Sequence, residues 1–192
     1  NNTKTLIMKG ILYVILTLVL MSVATTAGAG GPKRYVLGFY NVENLFDTYH
    51  DDGKNDYEFL PDGKNKWTEP KYEKKLHNIA TVIRAMADEN KAYHAVLGLS
   101  EVENAHCLAD LVNQPSLKPR GYEFAHIEGP DKRGVDCALL YNPQLYKVRN
   151  VKLVPYIPEL KKDSNYCTRG FLTVSGELAG EHLSVIVCHW PS

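Results

Sequence analysis

The chain has 192 residues, 44% hydrophobic and 23% charged, which suits one domain with a sizeable core. Its 22 basic residues match its 22 acidic ones, and Lys4 and Lys9 are the only charges in the first 29 positions, so the rest carries 20 basic against 22 acidic. That balance excludes a protein gripping nucleic acid by bulk electrostatics, which needs a strongly basic face, while leaving room for an enzyme that handles a few phosphates in a cleft.

Lys9 precedes GILYVILTLVLMSVATTAGAG (10–30), an apolar run of about fourteen residues fading into small ones. This is the layout of a secretory signal cleaved after Ala27-Gly28-Ala29, with Met8 as the expected start and residues 1–7 as upstream translation. A membrane span requires roughly 20 apolar residues, so an anchor fits less well. Residues 1–29 are therefore assigned to upstream sequence and signal, and residues 30–192 to an exported domain, secreted or periplasmic, without stable membrane association.

YVLGFYNVENLFD (35–47) reads as a buried strand whose apolar run gives out at Asn41. A polar stretch with two Asp-Gly turns follows (47–67) and reads as a solvated loop over a cleft; its spacing fails the calcium-loop pattern of an EF-hand. Thr68 is the expected N-cap of a helix from Lys71 to about Glu89, with Leu76, Ile79, Ala80, Val82, Ile83 and Met86 on its buried face. HAVLGLSEVEN (94–104) supplies a second buried strand, ending at Glu101. Asn104 should cap a short helix through Val112, and consecutive strands are expected at 121–127, 135–141, 145–154, 166–176 and 181–189. Strand–helix–strand–helix followed by a strand meander indicates an α/β fold.

Three of the four cysteines (Cys107, Cys137, Cys167 and Cys188) fall inside expected strands, where a lone Cys behaves as a small apolar residue. No CxxC pair, HExxH helix, P-loop or dinucleotide fingerprint occurs, and GLSEV (98–102) lacks the second glycine of a nucleophile elbow. The remaining signal is chemical. A carboxylate at the end of an apolar strand, like Glu101, is costly to desolvate unless a cation or donors compensate it. Ends of neighbouring strands in α/β proteins are also where ligands sit. Asn41 does not titrate, so it can orient a water or hold Glu101 but cannot act as a base; an Asx turn leaving the strand is the alternative. Glu103, beside the Asn104 cap, is read as helix-start electrostatics.

NVENLFD (41–47), GLSEVEN (98–104), RGVDCALLY (133–141), the arginine of YCTRGFLTV (166–174) and VIVCHWPS (185–192) come in the order seen in the endonuclease/exonuclease/phosphatase superfamily, which residues 35–192 resemble. The likeness is to its secreted bacterial, extracellular nuclease-like branch. It implies the N-terminal half of a four-layer α/β sandwich, two packed β-sheets flanked by helices, in a Mg2+-dependent phosphodiesterase (Mn2+ or Ca2+ as substitutes). Glu101 would hold the metal with Asn41 beside it, and Arg169 and His189 would grip the substrate phosphate. Asp136 would support Arg169 or a catalytic histidine from behind, or pair with Arg133. Nucleic acid is the expected substrate and the complete protein an expected monomer. The family's later Asp-x-Asn and Asp-His motifs do not occur, so the chain is expected to be an inactive, poorly soluble fragment. The alternatives are a hydrolase of lipid or small phosphoesters and a non-catalytic exported binding module.

Overall fold

Two parallel strands joined by a helix open the fold. The computed structural model describes residues 33–156 and 168–190; the expected signal segment, Cys167 and the start of the strand expected at 166–176 lie outside the described residues. β1 (Val36–Leu45) pairs in parallel with β2 (His94–Val102), and helix α1 (Glu69–Asn90) connects them. Tyr72, Leu76, Ile79, Ala80, Ile83 and Ala87 of α1 are buried at helical spacing. Val82, expected in this stripe, is 38% exposed because it falls about a quarter turn off the line through Ile79 and Ile83. Thr68 occupies the N-cap position with extended backbone, but its hydroxyl makes no capping bond. Helix α2 (Ala105–Val112) is capped as expected, Asn104 accepting the Cys107 N–H at 3.0 Å.

The strand meander divides between two sheets. β3 (Glu123–His126) and β4 (Asp136–Tyr141) join the first sheet antiparallel, giving the order β1-β2-β4-β3. β5 (Tyr146–Val154), β6 (Phe171–Leu178) and β7 (Glu181–Val187) form a second, antiparallel sheet. One core lies between the first sheet and the helices, built on Leu76, Ile79 and Ile83 against Leu97, Leu99 and Leu108. Burying each such side chain is worth about 1.5–3 kcal/mol. A second core, including Val96, Leu139, Tyr146, Leu172, Val174 and Val187, lies between the sheets. This is an α/β sandwich of two packed sheets; among the described residues the helices cover one face only.

Two contacts set the approach of the sheets. Tyr146 is buried, and its single hydroxyl proton is shared between the Val174 and Leu183 carbonyls at 3.0 and 2.9 Å, linking β5 across β6 to β7. At Gly98 of β2, a Cβ would stand 3.2 Å from the Phe39 ring and 3.3 Å from the Val187 methyls. The missing side chain lets the end of β7 settle over the end of β2.

Candidate active site

The carboxyl ends of β1 and β2 break their pairing at one point. Asn41 faces Ser100 and Leu45 faces Val102, so three residues of β1 bulge opposite Glu101 alone. The bulge puts Glu43, Asn44 and Glu101 in the left-handed region, with φ of 56°, 62° and 65°. For non-glycine residues this costs on the order of 1–3 kcal/mol each and is held by the surroundings. Here the surroundings are the Glu101 carboxylate itself. Oε2 accepts the Asn44 N–H at 3.0 Å, and Oε1 lies 3.4 Å from Asn41 Nδ2. Asn41 Oδ1 accepts the Glu43 N–H at 2.9 Å, so the Asx turn is present as well.

β7 delivers the third group. Two residues beyond Val187, His189 places Nε2 3.4 Å from Glu101 Oε1, while its Nδ1 lies 2.8 Å from Arg169 Nη1. A guanidinium only donates, so Nδ1 must accept and Nε2 carries the imidazole proton toward Glu101. Burial, then the Arg169 charge, push the His189 pKa below its ordinary value, partly offset by Glu101. Arg169 is itself buried, at 7% exposure, rather than engaged in a surface salt bridge. The structure thus brings Asn41, Glu101, His189 and Arg169 into one chain of contacts.

Asp136 stands elsewhere. Its Oδ2 accepts the Gly129 N–H at 2.9 Å and lies 3.7 Å from His126 Nε2, so it supports neither Arg169 nor Arg133 as expected. The reason is register: Asp136 opens β4 two strands from β1, facing the 126–129 segment that follows β3. Its neighbour in sequence, Asp131, does that work. Asp131 Oδ2 lies 3.8 Å from Arg169 Nε, an ion-pair distance too long for a hydrogen bond, and Oδ1 lies 3.5 Å from Arg133 Nε. The only sequence signal for it is the Asp-x-x-Gly turn 131–134, which marks a turn but not its partner. Lys75 was equally unmarked. Its ammonium donates to the Glu43 carbonyl at 2.9 Å, with a pKa lowered by burial and partly restored by Glu43 and Glu101.

Beside this centre is a second set of carboxylates. Glu103 is buried and accepts the Asp47 N–H at 2.8 Å. Burial pushes its pKa up to about 8, and the Asp47, Asp51 and Asp56 charges add to the rise. The 47–67 loop is pinned rather than free: Phe59 stacks on Phe46 and Trp67 Nε1 donates to the Phe46 carbonyl at 2.9 Å. Among the described residues, no cluster of three metal-ligating side chains includes Glu101.

The sequence model of the endonuclease/exonuclease/phosphatase family matches residues 36–192. No sequence among the curated proteins matches. Among solved structures, the chain is similar to ANGEL2, a 2′,3′-cyclic phosphatase, in complex with adenosine-2′,3′-vanadate (16% identity over 82% of this chain and 44% of that one, TM-score 0.47). It is also similar to an endonuclease/exonuclease/phosphatase from Bacteroides vulgatus (14% identity, 78% and 49% covered, TM-score 0.43). A third is D. rerio TDP2 complexed with single strand DNA product (17% identity, 58% and 38% covered, TM-score 0.38). The chain spans less than half the length of each of these three structures.

Proposed function

The chain belongs to the endonuclease/exonuclease/phosphatase family, whose members hydrolyse phosphoesters, and we propose that it is part of a secreted, Mg2+-dependent phosphodiesterase acting on nucleic acid. The observation that carries this is the contact chain Glu101–His189–Arg169, assembled from the ends of β2 and β7 and the approach to β6. Glu101 suits a hard cation: it is an oxygen donor, its side chain is 17% exposed, and backbone and amide donors hold it. Mg2+ keeps several waters and needs only one or two protein carboxylates, so Glu101 would hold it, with Asn41 orienting the carboxylate. A divalent cation there supplies positive charge against the anion that builds on the phosphate.

The residues divide the remaining work. His189, neutral with its proton on Nε2, offers a hydrogen bond to a phosphate oxygen placed beside Glu101. Arg169 fixes that tautomer and adds fixed positive charge behind the phosphate, and Asp131 holds Arg169 in turn. Lys75 adds a cation on the α1 side. The general base is assigned to residues other than these, since the carboxylate in contact with His189 among the described residues is Glu101, the proposed metal ligand. Export through residues 1–29 belongs to the same proposal, and N-terminal sequencing of protein recovered from the medium or periplasm tests it. Among the described residues no helix is long and apolar enough to cross a membrane.

One feature favours nucleic acid over a small phosphoester. Trp190, next to His189, is 63% exposed and rests edge-on against Phe171 and Tyr156, with centroids at 5.2 and 5.9 Å. An exposed, braced ring beside a phosphate site suits base stacking, worth about 1–3 kcal/mol per base. In the intact enzyme, Trp190→Ala should raise KM for an oligonucleotide at least roughly fivefold, the low end of that stacking energy, and leave hydrolysis of bis-p-nitrophenyl phosphate unchanged. An equal loss on both substrates, or none on either, contradicts the nucleic-acid assignment.

A further inference from the structure

The loop after β1 and the turn between β2 and α2 bring acidic groups together, with no cation of the described residues among them. A carboxylate oxygen of Asp47, one of Glu103 and the Cys107 Sγ lie within 4.8 Å of one another, all from buried residues. Asn104 Nδ2 donates to Asp47 Oδ2 at 3.1 Å and to Asp51 Oδ2 at 3.2 Å, drawing a third carboxylate to the same place. Glu103 is 2% exposed, and its Oε1 has no hydrogen-bond partner. A buried, unpartnered carboxylate oxygen among like charges is costly, and a bound cation removes that cost.

No basic side chain among the described residues fills the role. His50 is committed to Asp56, with Nδ1 2.5 Å from Oδ1. Lys54 turns away, its Nζ donating to the Gly129 carbonyl at 3.0 Å and lying 3.6 Å from Glu128. A cleft of about 420 Å³ lined by Asp51, Asp52, Lys54, Asn104 and Glu128, among others, borders the Asp51 side of the cluster and gives room for water ligands there. We propose that Asp47, Glu103 and Asp51 form a structural binding site for a hard divalent cation of the Ca2+ type, separate from Glu101. The donors are oxygens, and Ca2+ tolerates irregular geometry completed by water. Cys107 is no thiolate ligand: its S–H points at Glu103 Oε2 at 3.9 Å, and burial and the neighbouring anions push its pKa up.

The site would brace the catalytic side. Loop 47–56 hydrogen-bonds the 129–132 turn through Asn55 N to the Lys132 carbonyl (2.7 Å) and through Lys54. That turn carries Asp131, which faces Arg169. A cation locking Asp47 to Glu103 therefore steadies the support of His189 from a distance.

The test uses the purified chain carrying Glu101→Gln, which removes the proposed catalytic ligand, so its outcome is independent of the function proposed above. Calcium chloride is titrated into metal-free protein by calorimetry, with melting temperature followed in parallel. One Ca2+ should bind and raise the melting temperature, and adding Glu103→Gln or Asp47→Asn should each weaken binding at least about tenfold. Glutamine keeps the shape of Glu103 and its acceptor for the Asp47 N–H, and circular dichroism confirms folding. Absent Ca2+ binding in Glu101→Gln, or unchanged affinity in both folded double variants, overturns the site. Zn2+ binding that protects Cys107 from a thiol reagent overturns the oxygen-donor assignment.

Discussion

Glu101 bears a backbone cost as well as a charge. A side chain at φ 65° in a strand is tolerated because its carboxylate collects the Asn44 N–H and the Asn41 amide. Removing the carboxylate leaves the strain without its compensation. Glycine is free of the left-handed penalty of roughly 1–2 kcal/mol that alanine pays. Glu101→Gly should therefore be more stable than Glu101→Ala by about 1 kcal/mol, the reverse of the order in an ordinary strand. Urea unfolding of the two variants decides it, and equal midpoints would mean that the bulge relaxes without Glu101. In the sequence, Asn41 and Glu101 stand out because each ends an apolar run, whereas Arg169 and His189 are expected from the resemblance to the family. Sequence reasoning could not reach Asp131 or Lys75, whose roles depend on where a turn and a helix face come to rest. For the same reason it misplaced the partner of Asp136.

At the scale of elements, the site depends on how closely β7 approaches β2. Gly98 is the narrow point, with Phe39 and Val187 both closer to an absent Cβ than ordinary contact, at 3.2 and 3.3 Å. Gly98→Val should push the end of β7 outward and displace His189 from Glu101. The expected result is a cooperative but destabilised fold, down about 1–3 kcal/mol as overpacked cores usually are. Activity in the intact enzyme should fall further than that stability loss explains, and retained full activity would show that the approach is not critical. The helices and the β1 and β2 strands were legible locally, through the 3.6-residue stripe of α1, the Asn104 cap and two apolar runs. The division of the five later strands between two sheets was not, because pairing partners are chosen at long range: β3 and β4 return to β2, while β5 begins a new sheet. The bulge at Glu101 was equally hidden, since no glycine announces it.

For the molecule as a whole, one buried histidine ties stability to pH. His94 is 2% exposed, its Nδ1 has no partner, and burial lowers its pKa from 6.5. Between that lowered value and 6.5 the unfolded chain binds the His94 proton more readily, so the His94 contribution to stability rises with pH across the window, opposite in sign to that of Glu103, whose pKa is raised to about 8. The contribution is complete above the unfolded value and is lost as pH falls through the folded one. His94→Phe, which fills similar space under Gly38, should lose less stability than the parent between about pH 7 and about pH 5. Parallel urea midpoints for the two proteins would show that His94 is not the group responsible.

The most direct test of the account concerns position 101 in the intact enzyme. Mg2+ affinity by calorimetry and turnover on an oligonucleotide are measured for the parent and for Glu101→Gln. The account predicts that the substitution weakens Mg2+ binding and lowers turnover by at least about 100-fold, within the range lost when one electrostatic catalytic group is removed, with the fold intact. Unchanged Mg2+ affinity and turnover in Glu101→Gln would contradict it.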